Sequence, residues 1–316
     1  MVGRGRACGK VILFGEHFVL YGGTAVAVPL HVAERRVVVA SAPSGVRLLE
    51  GTSLDGERCE SLLEIAVQEL GLDRSTGLRA EVSGDLPVGM GLGSSAALCV
   101  ALARAIIDLY GEEPDDDLVS IAAFEMEHLF HGTPSGIDTT TVTFETPCFL
   151  KGGGDWAGAE APPVDGPVAG FVDIPAGLPM IVACSGTPGD TLEAVKRLAR
   201  LRDDPRGGQT LERLTAVADN LALRGASALR DGAWDAAGDL MNENHYLLSA
   251  LDLSTEHIDE LRRAAILAGA WGAKLTGAGL GGSLVVLAPP ALHPVVAREL
   301  RIAGATAVFL PAPQGH

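Results

Sequence analysis

The first fifty positions alternate between short apolar runs and polar breaks. Val11 to Phe14 and Thr24 to Pro29 are apolar, and Arg36 to Ala40 is rich in valine, so strands are expected there. Between Glu60 and Leu70 the apolar residues Leu62, Leu63, Ile65, Ala66 and Leu70 fall at helical spacing. Leu78 to Val82 reads as another strand. It leads into LPVGMGLGSSAA, Leu86 to Ala97, a glycine- and serine-rich loop. Ala96 to Leu109 is apolar nearly all round, which predicts a buried helix. Leu118 to Phe130 predicts a second helix, with Asp115 to Asp117 near its start and a stop at Gly132 and Pro134. Lys151 to Pro167 is crowded with glycine, proline, alanine and acids, as in a loop or domain junction. A strand at Pro179 to Cys184 follows, then a helix-rich stretch to about Ala268. The chain closes with strand, glycine loop, strand (Leu284 to Leu287), helix and strand (Ala305 to Phe309). Strands and helices are mixed without regular alternation, so the expected class is α+β rather than a doubly wound sheet.

Composition narrows the options. The 316 residues and 47% hydrophobic content allow a sizeable core in two domains or one large one. A formal charge of −16 repels nucleic acid and acidic membranes, so no nucleic-acid or membrane partner is expected. An anionic substrate would need local donors and a metal. The cysteines Cys8, Cys59, Cys99, Cys148 and Cys184 are scattered and without C-x-x-C spacing, which favours free thiols in a reducing compartment. No signal peptide and no membrane-length apolar run is visible, so a cytoplasmic protein is expected.

The glycine loop is the main chemical clue. Glycines let anion oxygens approach the backbone, and a following helix adds a partial positive charge. Ser94 and Ser95 add hydroxyls suited to phosphate or Mg²⁺. The structural alternative is a tight turn with a serine helix cap. Known nucleotide motifs fit poorly. Gly9-Lys10 is followed by Val11, so no P-loop is present. Gly277, Gly279 and Gly282 have dinucleotide spacing but precede a strand, and Gly91, Gly93 and Ala96 lack the later acidic residue. Two further segments carry chemistry. GKVILFGEHFVLYG places Lys10, Glu16 and His17 around an apolar strand. EMEHLFHGTPSGIDTT places Glu125, Glu127, His128 and His131 on a helix, then Ser135 and Asp138 on a turn. Glu125 and His128 have the spacing of a di-iron ligand pair, but no second pair exists.

Three segments, GKVILFGEH, PVGMGLGSSAA and KLTGAGLGGS, together resemble in kind and order the motifs of the GHMP kinases. The turn HGTPSGIDT, the pair Glu16-His17 and the segment Met241 to Leu261 are most similar to the mevalonate-phosphorylating branch. The resemblance implies a two-domain α+β fold. Residues 1–165 would form an S5 domain 2-like N-terminal domain holding ATP, and 166–316 a ferredoxin-like C-terminal domain. It also implies a homodimer. By the same resemblance, Pro87, Gly89, Gly91, Leu92, Gly93, Ser94, Ser95 and Ala96 would wrap the ATP phosphates. Ser95 (or Ser94) and Glu127 would hold Mg²⁺. Asp138 would accept the proton of the mevalonate primary hydroxyl, with Lys10 beside it to keep it ionised. Glu16, His17 and Ser135 would line the acceptor pocket, supported by Gly277, Ala278 and Gly279. Two positions depart from the pattern: Thr139 stands where asparagine is usual, and Leu280 where glycine is common. The same fold also serves kinases of phosphorylated mevalonate and sugars, a decarboxylase and catalytically silent paralogues.

Overall fold

A computed structural model describes residues 2–131, 134–151 and 168–311. The chain runs β1 (Val2–Phe14), β2 (Thr24–Ala42), β3 (Arg47–Glu50), α1 (Gly56–Glu69), β4 (Gly77–Gly84), α2 (Ser94–Leu109), α3 (Asp116–His131), α4 (Ile137–Phe144), β5 (Cys148–Lys151) and β6 (Val168–Phe171). It continues through β7 (Met180–Cys184), α5 (Thr191–Asp203), α6 (Pro205–Arg230), α7 (Trp234–Ala250), α8 (Glu256–Leu267), β8 (Gly272–Thr276), β9 (Ser283–Leu287), α9 (His293–Ile302) and β10 (Ala307–Phe309).

Among the described residues the first sheet has the order β3-β4-β2-β5-β6, with β1 also paired to β2. The three short strands expected in the first forty residues are parts of two long ones. β1 and β2 pair antiparallel from Val2↔Ala40 to Phe14↔Val26, across a register break at Cys8/Gly9. Polar and glycine positions hid their continuity, because the long ladder between the two strands holds such residues extended whatever their own preference. Helix α2 packs along this sheet and buries twelve residues, Ala96 to Leu109 without Arg104 and Asp108. Each large apolar side chain buried there contributes about 1.5–3 kcal/mol. The second sheet has the order β10-β7-β9-β8. Read as first to fourth strand, that is fourth-first-third-second, with helices after the first and third. This is the β-α-β-β-α-β arrangement of ferredoxin-like folds, as expected. Its strands β7, β8 and β9 are buried along their whole length.

Two expectations change. Asp138 lies not on a bare turn but in the first turn of α4. The run IDTTTVTF hides that helix because threonine competes for backbone partners outside helices. Here Thr141 Oγ1 donates to the Ile137 carbonyl (2.7 Å) and Thr139 Oγ1 to the Gly136 carbonyl (3.1 Å), which satisfies both hydroxyls within the helical turn. β6 pairs with β5, so the first sheet extends to Phe171. We propose on that pairing that the domain division falls after Phe171; the earlier boundary at 165, the stop at Gly132 and the loop over 152–167 lie outside the described residues. All five cysteines are free and buried. Among the described residues no helix is long and apolar enough to cross a membrane.

Candidate active site

The two sheets meet along β1 and β8. Thr276 Oγ1 donates to the Ile12 carbonyl (3.0 Å) and accepts from the Ile12 amide (2.9 Å). Asn244 Oδ1 accepts from the Gly15 amide at 3.3 Å. Beside this seam lies a cavity of about 430 Å³.

The phosphate loop forms one wall. Gly89, Gly91, Gly93, Ser94 and Ser95 all line the cavity. The serine-cap alternative is not realised: Gly93 is the N-cap of α2, with φ 73°, and no side chain bonds there. Helix α4 likewise begins at a glycine, Gly136 with φ 83°, and without a side-chain cap. By contrast α1, α5, α6 and α8 are capped by Asp55, Asp190, Asp204 and Thr255. Among the described residues no side chain caps either helix, so the cavity meets two N-termini with unclaimed first amides, each the positive end of a helix dipole. Leu92, Ala96, Pro87 and Gly279 are not among the lining residues. Leu92 and Ala96 are core residues, and the Leu92 carbonyl accepts from the Lys10 amide at 3.0 Å. Pro87 is half-buried at the loop's entry, and the Gly279 carbonyl accepts from the Asp190 amide at 3.2 Å.

Lys10 and Asp138 come together, as the family resemblance implied. Lys10 Nζ lies 2.8 Å from Asp138 Oδ2, with the lysine buried and the carboxylate about one-quarter exposed (27%) toward the cavity. Lys10 owes its position to β1; Asp138 owes its position to the start of α4.

Glu127 is buried on α3, while Glu125 and His128 on the same helix are exposed, so the di-iron pairing has no structural basis. Burial, and next the charge of Asp138, push the Glu127 carboxyl up to about 8; the Ser95 hydroxyl and Lys10 oppose that rise. Its Oε1 is buried without a hydrogen-bond partner among the described residues. Its Oε2 lies 3.5 Å from His131 Nε2, which in turn lies 3.3 Å from Ser95 Oγ. An orphaned buried carboxylate oxygen beside a hydroxyl is a donor set that suits a hard divalent cation. A separate trio, Cys8, His31 and Glu145, has ligand atoms within 4.8 Å of one another. It does not line the cavity, and Glu145 there is paired with Arg104 at 3.4 Å.

Glu16 and His17 form the far wall, in the turn after β1. Nε2–H of His17 donates to the Ala278 carbonyl (2.8 Å), and its backbone has a positive φ of 63°. Burial depresses the His17 ring to about 4, so the ring is neutral and Nδ1 is left as an acceptor. His245, whose Nδ1 accepts from the Leu275 amide, is likewise depressed to about 4, first by burial and then by Arg262. Both rings protonate more readily unfolded than folded. Stability from them is therefore full above about pH 6.5 and lost as pH falls toward 4. Thermal unfolding at descending pH should show wild type losing about 2 kcal/mol more than His245→Gln between pH 6.5 and 5. Equal slopes would remove the buried neutral histidine from the account.

Ser135, Gly277 and Ala278 also line the cavity. Sequence reasoning missed four residues that matter. His131 reads as an ordinary helix-end histidine. Thr191 and Gly189 enter from the start of α5 without a motif. Lys274 sits inside a quoted motif but was given no role; it is fully buried and paired with Glu16, 258 positions away. The departures are accommodated. Thr139 is buried with its hydroxyl satisfied as above. Leu280 adopts φ 57°, a left-handed conformation that suits glycine, while its side chain packs on the second core.

Comparison with known proteins identifies the family. Residues 59–146 match the model of the GHMP kinases N terminal domain, and 226–306 match GHMP kinases C terminal. A mevalonate kinase of Pyrococcus furiosus is 30% identical, over 94% of this chain and 92% of its own length. One of Pyrococcus horikoshii is 33% identical, over 93% and 91%. The crystal structure of L. major mevalonate kinase in complex with R-mevalonate superposes with a TM-score of 0.80 at 26% identity, covering 98% of this chain and 94% of that one. The chain belongs to the GHMP kinase family. It is an ATP-dependent kinase that phosphorylates an alcohol on a small molecule.

Proposed function

We infer that the chain transfers the γ-phosphoryl group of ATP to the primary hydroxyl of mevalonate, giving 5-phosphomevalonate and ADP. The observation that carries this reading is the Lys10–Asp138 pair, set between the unclaimed amides of α2 and those of α4. Phosphoryl transfer asks mainly for positioning and charge neutralisation, and the cavity supplies both. The loop Gly89 to Ser95 would bind the ATP phosphates through its amides. Asp138 would accept the proton of the attacking hydroxyl, and Lys10 would stabilise the developing negative charge. Neutral His17 and the free oxygen of Glu16 are hydrogen-bond acceptors, which suits a polyol-like acceptor bearing more than one hydroxyl.

Glu127 and Ser95 would hold Mg²⁺; Ser94 lines the same wall and is the alternative hydroxyl. Bound there, the ion would neutralise phosphate charge. A homodimeric state, implied by the family resemblance, and the cytoplasmic location expected from the sequence also belong to this reading.

The test is an acceptor panel with purified protein, ATP and Mg²⁺, following ADP release. Mevalonate is expected to support turnover, with phosphomevalonate and galactose at least about a hundredfold poorer in kcat/KM. Preference for a phosphorylated acceptor or a sugar, CO₂ release, or binding without ADP formation would each replace the reading with a different one.

A further inference from the structure

Behind the cavity wall, Glu16 meets a buried cation that phosphoryl transfer does not use. Lys274, on β8, has no solvent exposure. Its Nζ donates to Glu16 Oε1 and, at 2.7 Å, to the Leu275 carbonyl. The pair crosses the seam between the two sheets. The second oxygen of Glu16, Oε2, is buried and has no hydrogen-bond partner among the described residues, and Glu16 lines the cavity.

We propose that Lys274 is a positioning residue for the acceptor: it keeps Glu16 a carboxylate, ties down one oxygen and leaves the other to receive a substrate hydroxyl. This rests on the reading of the cavity as the mevalonate pocket. Three observations support it. A lone carboxylate so buried would take up a proton rather than stay charged. Protonated, Glu16 could present a donor, and the pocket would lose an acceptor. Second, the seam does not need this pair as a pin. Thr276 already joins β8 to Ile12 of β1 by neutral bonds, and Asn244 of α7 holds the Gly15 amide. An ion pair kept only for stability is often replaceable by apolar packing without loss. Third, the next residue, His17, is held at positive φ by the Ala278 carbonyl, four residues after Lys274. The β8 end and its loop thus fix both halves of the Glu16-His17 corner.

The electrostatics around the pair are compact. Burial pushes Glu16 up and Lys274 down, and each is opposed by the other. The other charged or titratable groups facing them are Lys10 from β1, His17 in the same turn and His245 from α7. With Lys274 removed, only a backbone hydrogen bond at Glu16 and the more distant Lys10 would oppose the burial of Glu16.

The test is steady-state kinetics for mevalonate and for ATP from about pH 6 to 9. Wild type should show a mevalonate KM nearly flat with pH. Lys274→Met should raise it by about tenfold or more at neutral pH, with recovery as pH rises and Glu16 ionises, while the ATP KM stays within about twofold. Glu16→Gln should raise the mevalonate KM without pH recovery. Adding Lys274→Met to Glu16→Gln should change it no further. That double variant buries no charge at the site. If Lys274→Met alone does not fold, its comparison with Glu16→Gln carries the test. A Lys274→Met enzyme with wild-type mevalonate KM would overturn the proposal. So would a pH-independent rise shared by both substrates, or a full additional loss on top of Glu16→Gln. Wild-type protein inert toward mevalonate would instead sink the acceptor assignment, and the same kinetics would then be run on the acceptor that the panel identifies.

Discussion

Asp138→Asn is expected to lower kcat with mevalonate by about a thousandfold or more, with ATP binding retained. Asparagine keeps the shape of the side chain and its place in the first turn of α4. It removes the one group placed to accept the hydroxyl proton. The Lys10 ammonium, 2.8 Å away in the native site, would then face a neutral amide. Because Asp138 is not in the phosphate loop, nucleotide affinity should change little. Lys10→Met should also lose turnover, since it leaves Asp138 and the attacking oxygen without their cation. Turnover by ADP release, together with calorimetric binding of a non-hydrolysable ATP analogue, separates the two effects. A Lys10→Met enzyme with normal kcat and only a raised KM would make Lys10 a binding residue.

The second large effect concerns two glycines from opposite domains. The loop between β4 and α2 and the loop between β8 and β9 touch backbone to backbone. A Cβ on Gly277 would lie 2.6 Å from Gly91 Cα, and one on Gly91 would lie 2.9 Å from the Thr276 carbonyl oxygen. Both residues have positive φ, 83° and 74°. No flexible side chain is present to yield, so an added methyl must part the loops. The contact is braced: Ser283 Oγ donates to the Met90 carbonyl (2.9 Å), and the Gly189 amide donates to the Gly89 carbonyl (2.9 Å). Gly277→Ala should therefore cost about 1–3 kcal/mol of stability and lower kcat/KM for ATP by about a hundredfold. Gly91→Ala should do the same, and the double variant should be little worse than either, since the loops part once. Gly71→Ala is the control. It has φ 68° and nothing within 4 Å of the added carbon, so it should lose only the conformational term, about 1 kcal/mol, and no activity.

Much of this site was legible because its parts are local. The glycine loop before an apolar helix, and the lysine before an apolar run, announce themselves within a few residues. Asp138 was found as a residue but not as the start of α4, since the run of threonines obscures a helix that its own hydroxyls stabilise. What the sequence could not show is long-range. Lys274 looks like any lysine near a strand end until Glu16 is brought to it across the seam. His131 acquires meaning only once α2 lays Ser95 against α3. The contact of Gly91 with Gly277 is likewise a product of docking, although both lie in segments that stood out as glycine-rich.

The central claim is transfer of the γ-phosphoryl group to the primary hydroxyl of mevalonate, with Asp138 as base. It is tested most directly by phosphorus NMR of a reaction containing the purified protein, ATP, Mg²⁺ and mevalonate. The account predicts a phosphomonoester coupled to the methylene protons of the primary carbon, formed in equal amount with ADP and absent with Asp138→Asn. Inorganic phosphate in its place, or a phosphomonoester formed equally well by Asp138→Asn, would contradict it.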